Sequence, residues 1–326
     1  MNDNRGLLSS GLGMVARNKR YLIWFWLLNL TLAEFGASAF RRSAHAMLDH
    51  SLAAGSLLHG FDFATFTELL ANPQFGHLPA MTTPAMFFSF VFFLATALFL
   101  PGVFEGYASP SRLPREDFFR ACGRNLWRFI RLMIISGIVM SIVAGVLFAI
   151  QAPLLKKVAE STNELLPFRM RILSMTIIFL VMTILRMWFD LAEVDVVLND
   201  QRAVRKSIWT ALRHTLRSIF RLLAGYVVAT ILAAIFLVGG LCFWVKFVGP
   251  ESVLGAYLAA QLILFVLLIP RFWQRGIAVS YWQQKMMAPA VAVEPTPAPI
   301  FVQPITPTIP EPPPIVPDIP PQTLES

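Results

Sequence analysis

The chain has 326 residues, of which 56% are hydrophobic and only 14% charged, and its formal net charge is +8. A soluble domain is about one-quarter charged, so this sequence cannot cover a water-facing surface. The balance excludes an ordinary soluble enzyme or a separate nucleic-acid-binding domain, and points to an all-α, polytopic membrane protein.

Residues 1–20 carry Arg5, Arg17, Lys19 and Arg20 and read as an interfacial segment on the cytoplasmic side. Residues 21–285 form the membrane domain. Its six apolar runs lie near Tyr21–Phe40, Pro84–Phe104, Leu132–Gln151, Ile172–Leu191, Leu222–Val245 and Ser252–Trp273. A crossing helix needs about 20 apolar residues. Each run must be helical, because lipid gives the backbone no hydrogen-bond partner. The basic leader, the run Tyr21–Ala33 and then Ala37-Ser38-Ala39 resemble a cleaved signal peptide. Asn29 and Glu34 interrupt that run and the leader is long, so the expectation is a retained first span.

The outer segment after span one predicts a helix over Phe61–Leu70, ended by Asn72-Pro73. It also holds His45, His50, His59 and His77 with Asp49, Asp62 and Glu68. Their spacing matches no metal-ligand pattern, so neither a metal site nor a cofactor is expected. Cys122 and Cys242 fall in different surroundings, the first in a basic inner segment and the second in span five, and no disulfide is expected.

Two inner connections read as amphipathic helices that lead into spans. In the first, Phe118, Phe119, Cys122, Leu126, Phe129 and Ile130 recur at helical spacing, with Arg120, Arg124, Arg128 and Arg131 on another face. In the second, Val204, Ile208, Leu212, Thr215, Leu216 and Ile219 form the apolar stripe, and Arg213, Arg217 and Arg221 recur every four residues. Such helices lie in the membrane surface with cations among the phosphates, so these seven arginines are the lipid-headgroup candidates. Nineteen of the 27 Lys and Arg fall on this side: the leader, these two connections with Arg112, Arg115, Arg202, Arg205 and Lys206, and Arg271, Arg275 and Lys285 at the C-terminal end. The bias predicts that both termini are cytoplasmic.

Ionisable residues inside spans are functional candidates by default. Glu34, Glu105, Arg186, Asp190, Glu193 and Asp195 make up the candidate intramembrane polar patch. Glu34 is placed slightly deeper, towards the outer side, where it either pairs with Arg41 or Arg42 or lines an outer cavity. The structural alternative for Arg186 and Asp190 is an i,i+4 ion pair. Arg186→Leu is expected to reduce folded protein. Gly137, Ser141 and Gly145 in span three, and Gly225, Ala229 and Ala233 in span five, have the spacing that lets helices approach closely. Both spans are therefore expected to be buried in the bundle or to meet each other, and Gly137→Leu to disrupt packing.

The chain also repeats itself. A shift of 90 residues superposes Arg112, Arg115 and Arg131 on Arg202, Arg205 and Arg221, and Glu105 on Asp195. Leu7–Arg20 reads as a fainter third copy. Ile269-Pro270-Arg271-Phe272-Trp273 echoes Ile184-Leu185-Arg186-Met187-Trp188. The architecture expected is three helical hairpins joined through the inner surface, as duplication of a membrane module would produce. Residues 286–326 contain thirteen Pro, four acids and no Lys or Arg. They predict a disordered, polyproline-rich tail, a spacer or a docking segment for a protein partner.

The run Glu193-Val-Asp-Val-Val-Leu-Asn-Asp-Gln-Arg-Ala-Val-Arg-Lys-Ser-Ile-Trp209 has an acidic residue ending a span, a short loop, and Ala203-x-Arg205-x-Ser207 opening the next helix. It resembles the membrane domain attached to some bacterial glycerophosphoryl diester phosphodiesterases, and related stand-alone six-span inner-membrane proteins. The resemblance covers spans two to six and implies a bacterial inner-membrane location. It does not carry over the phosphodiesterase activity, because the catalytic domain is not in this sequence. The sequence has no nucleophile elbow, P-loop, zinc-protease or dinucleotide motif. The expected function is non-enzymatic, organising or sensing anionic membrane lipid through the basic surface helices. Nucleic acid is not an expected partner. The alternative is a transporter of a lipid-like or small amphiphilic solute.

Overall fold

The computed structural model describes residues 6–48, 67, 71, 78–159, 165–249 and 252–286. Every long element among them is a helix: α1 (Leu7–Arg17), α2 (Arg20–Leu48), α3 (Leu78–Ala108), α4 (Arg115–Ala159), α5 (Leu165–Leu198), α6 (Val204–Arg217), α7 (Ile219–Phe247) and α8 (Val253–Tyr281), with a closing π turn at Trp282–Met286. Six of them, all but α1 and α6, are long and apolar enough to cross a membrane. The protein is a polytopic, all-α membrane protein. The outer-segment helix, apart from Thr67, and three of that segment's histidines lie outside the described residues, as does nearly all of the Pro-rich tail.

Contacts join α2 to α3, α4 to α5 and α7 to α8 as three hairpins. Further contacts join α3 to α4 and α1 to α8. α3 runs through Pro84 and Pro101, as membrane helices often do. The connections between hairpins differ. The first amphipathic segment and span three are one continuous 45-residue helix, α4. The second is broken at Ser218 (φ −125°, ψ 29°), whose N–H donates to the carbonyls of His214 and Thr215.

The closest geometric counterpart of α6 is α1. α1 ends at Asn18 (φ −115°, ψ 35°), whose N–H donates to the carbonyls of Met14 and Val15 before α2 begins. Each short helix buries one edge, Leu7, Gly11 and Val15 in α1 and Ser207, Ala211 and Thr215 in α6. Each is held by an indole from a long helix. Trp273 Nε1 donates to the carbonyl of Leu8 at 2.9 Å, and Trp188 Nε1 to that of Ile208 at 2.8 Å. These are the two tryptophans of the echoed segments.

The buried core gathers where the arginines are concentrated, here termed the basic end. Fully buried side chains include Tyr21, Phe104, Tyr107, Phe118, Phe129, Leu132, Tyr226 and Tyr281. Arg17 donates to the carbonyls of Tyr107 and Ser109, and Arg20 to that of Leu113, tying the start of the chain to the α3–α4 turn. Towards the other end, Ile134, Ile138, Ile142 and Val146 of α4 face outwards. The expectation that span three is buried is therefore overturned. A Cβ on Gly137 or Gly145 would meet nothing within 4 Å. On α7, Gly225 and Ala229 are buried as expected. The close helix crossing lies elsewhere. A Cβ on Gly276 would stand 2.6 Å from the carbonyl oxygen of Gly11, and one on Gly11 2.8 Å from the backbone nitrogen of Ile277.

Candidate functional site

The six acidic and basic residues proposed as one patch separate into distinct groups. Glu34 is midway along α2, paired with Arg41 at 2.8 Å beside Tyr257. Glu105 pairs with Arg124 near the α3–α4 turn. Asp195 accepts a hydrogen bond from Asn199 Nδ2 at 2.6 Å and lies near His214. Arg186, Asp190 and Glu193 stay together on α5 and form the buried centre.

That centre also recruits residues that the sequence placed elsewhere. Arg271 and Arg275, counted as charges of the C-terminal end, are inside α8. They lie roughly 9–15 Å before its last residue at 1.5 Å per residue. Pro270 begins the buried half of α8, where Arg275 is only 7% exposed, whereas Arg271 keeps an exposed side chain on the cavity side. Asp190 is 3% and Glu193 8% exposed. Arg186 Nη2 stands 3.7 Å from Asp190 Oδ1, the i,i+4 pair foreseen as the structural alternative. The hydroxyl of Tyr226 donates to Asp190 Oδ2 at 2.8 Å, which brings in α7. Gln274 Nε2 donates to Thr230 Oγ1 at 3.0 Å and to the Tyr226 carbonyl. Three guanidinium groups thus face two carboxylates where α5, α7 and α8 meet.

Two partly open cavities flank this centre. One, of about 310 Å³, has Arg186, Asp190, Glu193, Arg271 and Arg275 on one wall and Phe92, Phe93, Met133, Gly137 and Met140 on the other. The second, of about 320 Å³, shares Met140, Arg186 and Arg271 and adds Thr183, Thr230 and Gln274. Arg186 and Arg271 therefore stand between the cavities. They occupy matching places in the echoed segments, and that echo was the one sequence signal that could have moved Arg271 from the loop count to the site. Tyr226 gave no such signal, because a tyrosine in an apolar run looks like an interface anchor.

The basic surface is the second candidate site. On α4, Arg120 pairs with Asp117 at 2.8 Å, Arg124 with Glu105, and Arg128 with Asp200 at 2.5 Å, while Arg131 lies 5.0 Å over the ring of Trp127. On α6, Arg213 and Arg217, and Arg221 in the first turn of α7, are exposed and form no ion pair among the described residues. The apolar stripe read from the sequence is divided. Its Ile208 side packs on α5, whereas Leu216 is exposed together with Trp209 (68%) and Phe220 (86%). The face turned away from the bundle thus alternates aromatic, aliphatic and cationic groups. Burial, with Arg217 and Arg213 close by, lowers the basicity of the His214 imidazole, so the arginines carry this face's charge at neutral pH. At the neighbouring turn, Asp200 has the left-handed φ of 47°. Its hydrogen bond from Arg128 holds the carboxyl below its usual range.

Comparison with family models, curated proteins and solved structures gives no match to this chain.

Proposed function

We propose that this is a non-enzymatic protein of the bacterial inner membrane that organises or senses anionic lipid through its basic surface helices. Its termini and Arg-rich connections face the cytoplasm. The observation that carries this reading is the outer face of α6. The bundle takes the edge of Ser207, Ala211 and Thr215, and leaves Trp209 and Leu216, with Phe220 at the start of α7, outside among arginines that form no ion pair among the described residues. An amphipathic face of this kind inserts its apolar groups between lipids and sets its cations among phosphates. Each such cation is worth about 1 kcal/mol near an anionic leaflet. The arginines of α4 are secondary contributors, because most already have carboxylate partners. The similarity of 193–209 to the membrane domain of bacterial phosphodiesterases agrees with the proposed location.

Hydrogen exchange of the full chain in nanodiscs tests the proposal. Amides of 204–221 should be better protected in phosphatidylcholine mixed with phosphatidylglycerol than in phosphatidylcholine alone. High salt, or the combined substitution R213Q/R217Q/R221Q, should erase the difference. Equal protection in both lipids would refute the reading. The second reading, carriage of a lipid-like or small amphiphilic solute, draws on the cavities that meet at Arg186 and Arg271. Its test is flux of a labelled amphiphile into proteoliposomes.

A further inference from the structure

The arginines at the α5–α8 centre pose a separate question from those of the basic surface helices. Arg275 is more than nine-tenths buried, yet it forms no hydrogen bond and no ion pair among the described residues. Its Nε has no partner, and its guanidinium carbon lies 5.1 Å over the ring of Phe272. Arg186 Nε is also buried without a partner. A guanidinium stays charged in a protein and is costly to desolvate alone. Asp190 is already engaged by Arg186 and Tyr226. Glu193 is the other carboxylate near Arg275, so three guanidiniums share two carboxylates and one positive charge of this centre is left over among the described residues.

We propose that the cavity between α3, α4, α5 and α8 is a binding site for the phosphate headgroup of one anionic phospholipid, held by Arg271 and Arg275 with Arg186 at its edge. A planar guanidinium matches a phosphate through paired, charge-assisted hydrogen bonds. The opposite wall supplies the rest of the match. Phe92, Phe93, Met133 and Met140 form an apolar surface against which acyl chains can lie. The cavity, at about 310 Å³, accommodates a headgroup but not two whole acyl chains, which leave through its open side. A free phosphate would gain the arginines and leave that wall unused. Asp190 and Glu193 repel the same anion. They limit occupancy to one headgroup and disfavour a second phosphate beside it. This site does not depend on the α6 surface reading.

Native mass spectrometry of the full chain in detergent is the test. The probes are phosphatidylglycerol, diacylglycerol with the same chains, and inorganic phosphate. One phosphatidylglycerol should persist through a high-salt wash, because buried charges are screened far less than surface ones. Diacylglycerol should wash away, and inorganic phosphate should bind much more weakly. R213Q/R217Q/R221Q should leave this salt-resistant lipid in place, which separates the site from the surface helix. Arg271→Gln or Arg275→Gln should weaken retention by about tenfold or more, as loss of a charge-assisted pair implies. Gly137→Leu provides a variant without a charge change. A Cβ there meets nothing within 4 Å and position 137 lines the cavity, so the variant should preserve the unfolding transition and reduce retention. If Arg275→Gln does not fold, Arg271→Gln and Gly137→Leu decide the matter. Unchanged retention in the folded variants overturns the proposal. Equal binding of diacylglycerol removes the arginines' role, and equal binding of inorganic phosphate removes the lipid's.

Discussion

Gly11 and Gly276 show how one hydrogen atom can fix a helix crossing. The backbones of α1 and α8 approach until an added methyl at position 276 would overlap the Gly11 carbonyl. Gly276→Ala should therefore force the helices apart and cost about 1–3 kcal/mol, the usual range for overpacking. Gly13→Ala, on the open side of α1, should be neutral in the same detergent unfolding assay. Tyr226 is a second point of this kind. Its hydroxyl is the buried hydrogen-bond donor to Asp190, and Tyr226→Phe leaves a carboxylate oxygen short of a partner. A loss of roughly 1.5–3 kcal/mol is expected for a hydrogen bond to a charged group. A smaller loss on calorimetric or denaturant unfolding would mean that water replaces the hydroxyl.

The short helices α1 and α6 are docked by the same device, an indole from a long helix reaching a backbone carbonyl in the N-terminal half of the short one. Trp188→Phe should raise amide exchange in 204–217 and leave 7–17 unchanged, and Trp273→Phe should do the reverse. The α5–α6 turn has its own fastening, through Arg128 and Asp200. Its pH dependence has a definite sign. The folded-state pKa of Asp200 lies below the unfolded one, so the pair's contribution is present above an unfolded value of about 3.9 and is lost as pH falls through the folded value. Lowering the pH from neutral to about 3 should weaken the turn in the parent protein. Asp200→Asn tolerates the left-handed φ and should lack this pH-dependent part. α4 shows why two similar sequence patterns gave different elements. Arg131-Leu132 continues without interruption, whereas Ser218, two residues before Phe220, leaves the helix and accepts a hydrogen bond from the Tyr281 hydroxyl at 2.9 Å.

Across the membrane unit, packing is concentrated at the basic end, and the long helices turn apolar side chains outwards elsewhere. Lipid contacts are as apolar as leucine, so outward-facing positions gain little from burial in protein. Leu132, with no exposure, and Ile138, 55% exposed, lie less than two turns apart on α4. Leu132→Ala should cost about 2–4 kcal/mol and Ile138→Ala little, as measured by unfolding in a bilayer-like solvent. If both were equally costly, α4 would be covered by another protein surface along its length.

The sequence alone determined the spans, the basic end and the amphipathic helices. Each depends on a local property: the length of an apolar run, the placement of charge beside it, or a helical period. The Glu34–Arg41 pair and the Arg186–Asp190 pair were legible for the same reason, since their partners are close along one helix. Only the tertiary structure decided that Arg275 is buried and joins Arg271 beside the α5 cluster, that Glu105 and Asp195 stand apart from that cluster, and that α1 and α8 carry the close crossing. Those outcomes depend on which helix faces meet, and residues far apart in the chain set them. Spacing within one helix can offer a small-residue face such as Gly137–Gly145, but it cannot say whether protein or lipid will cover it.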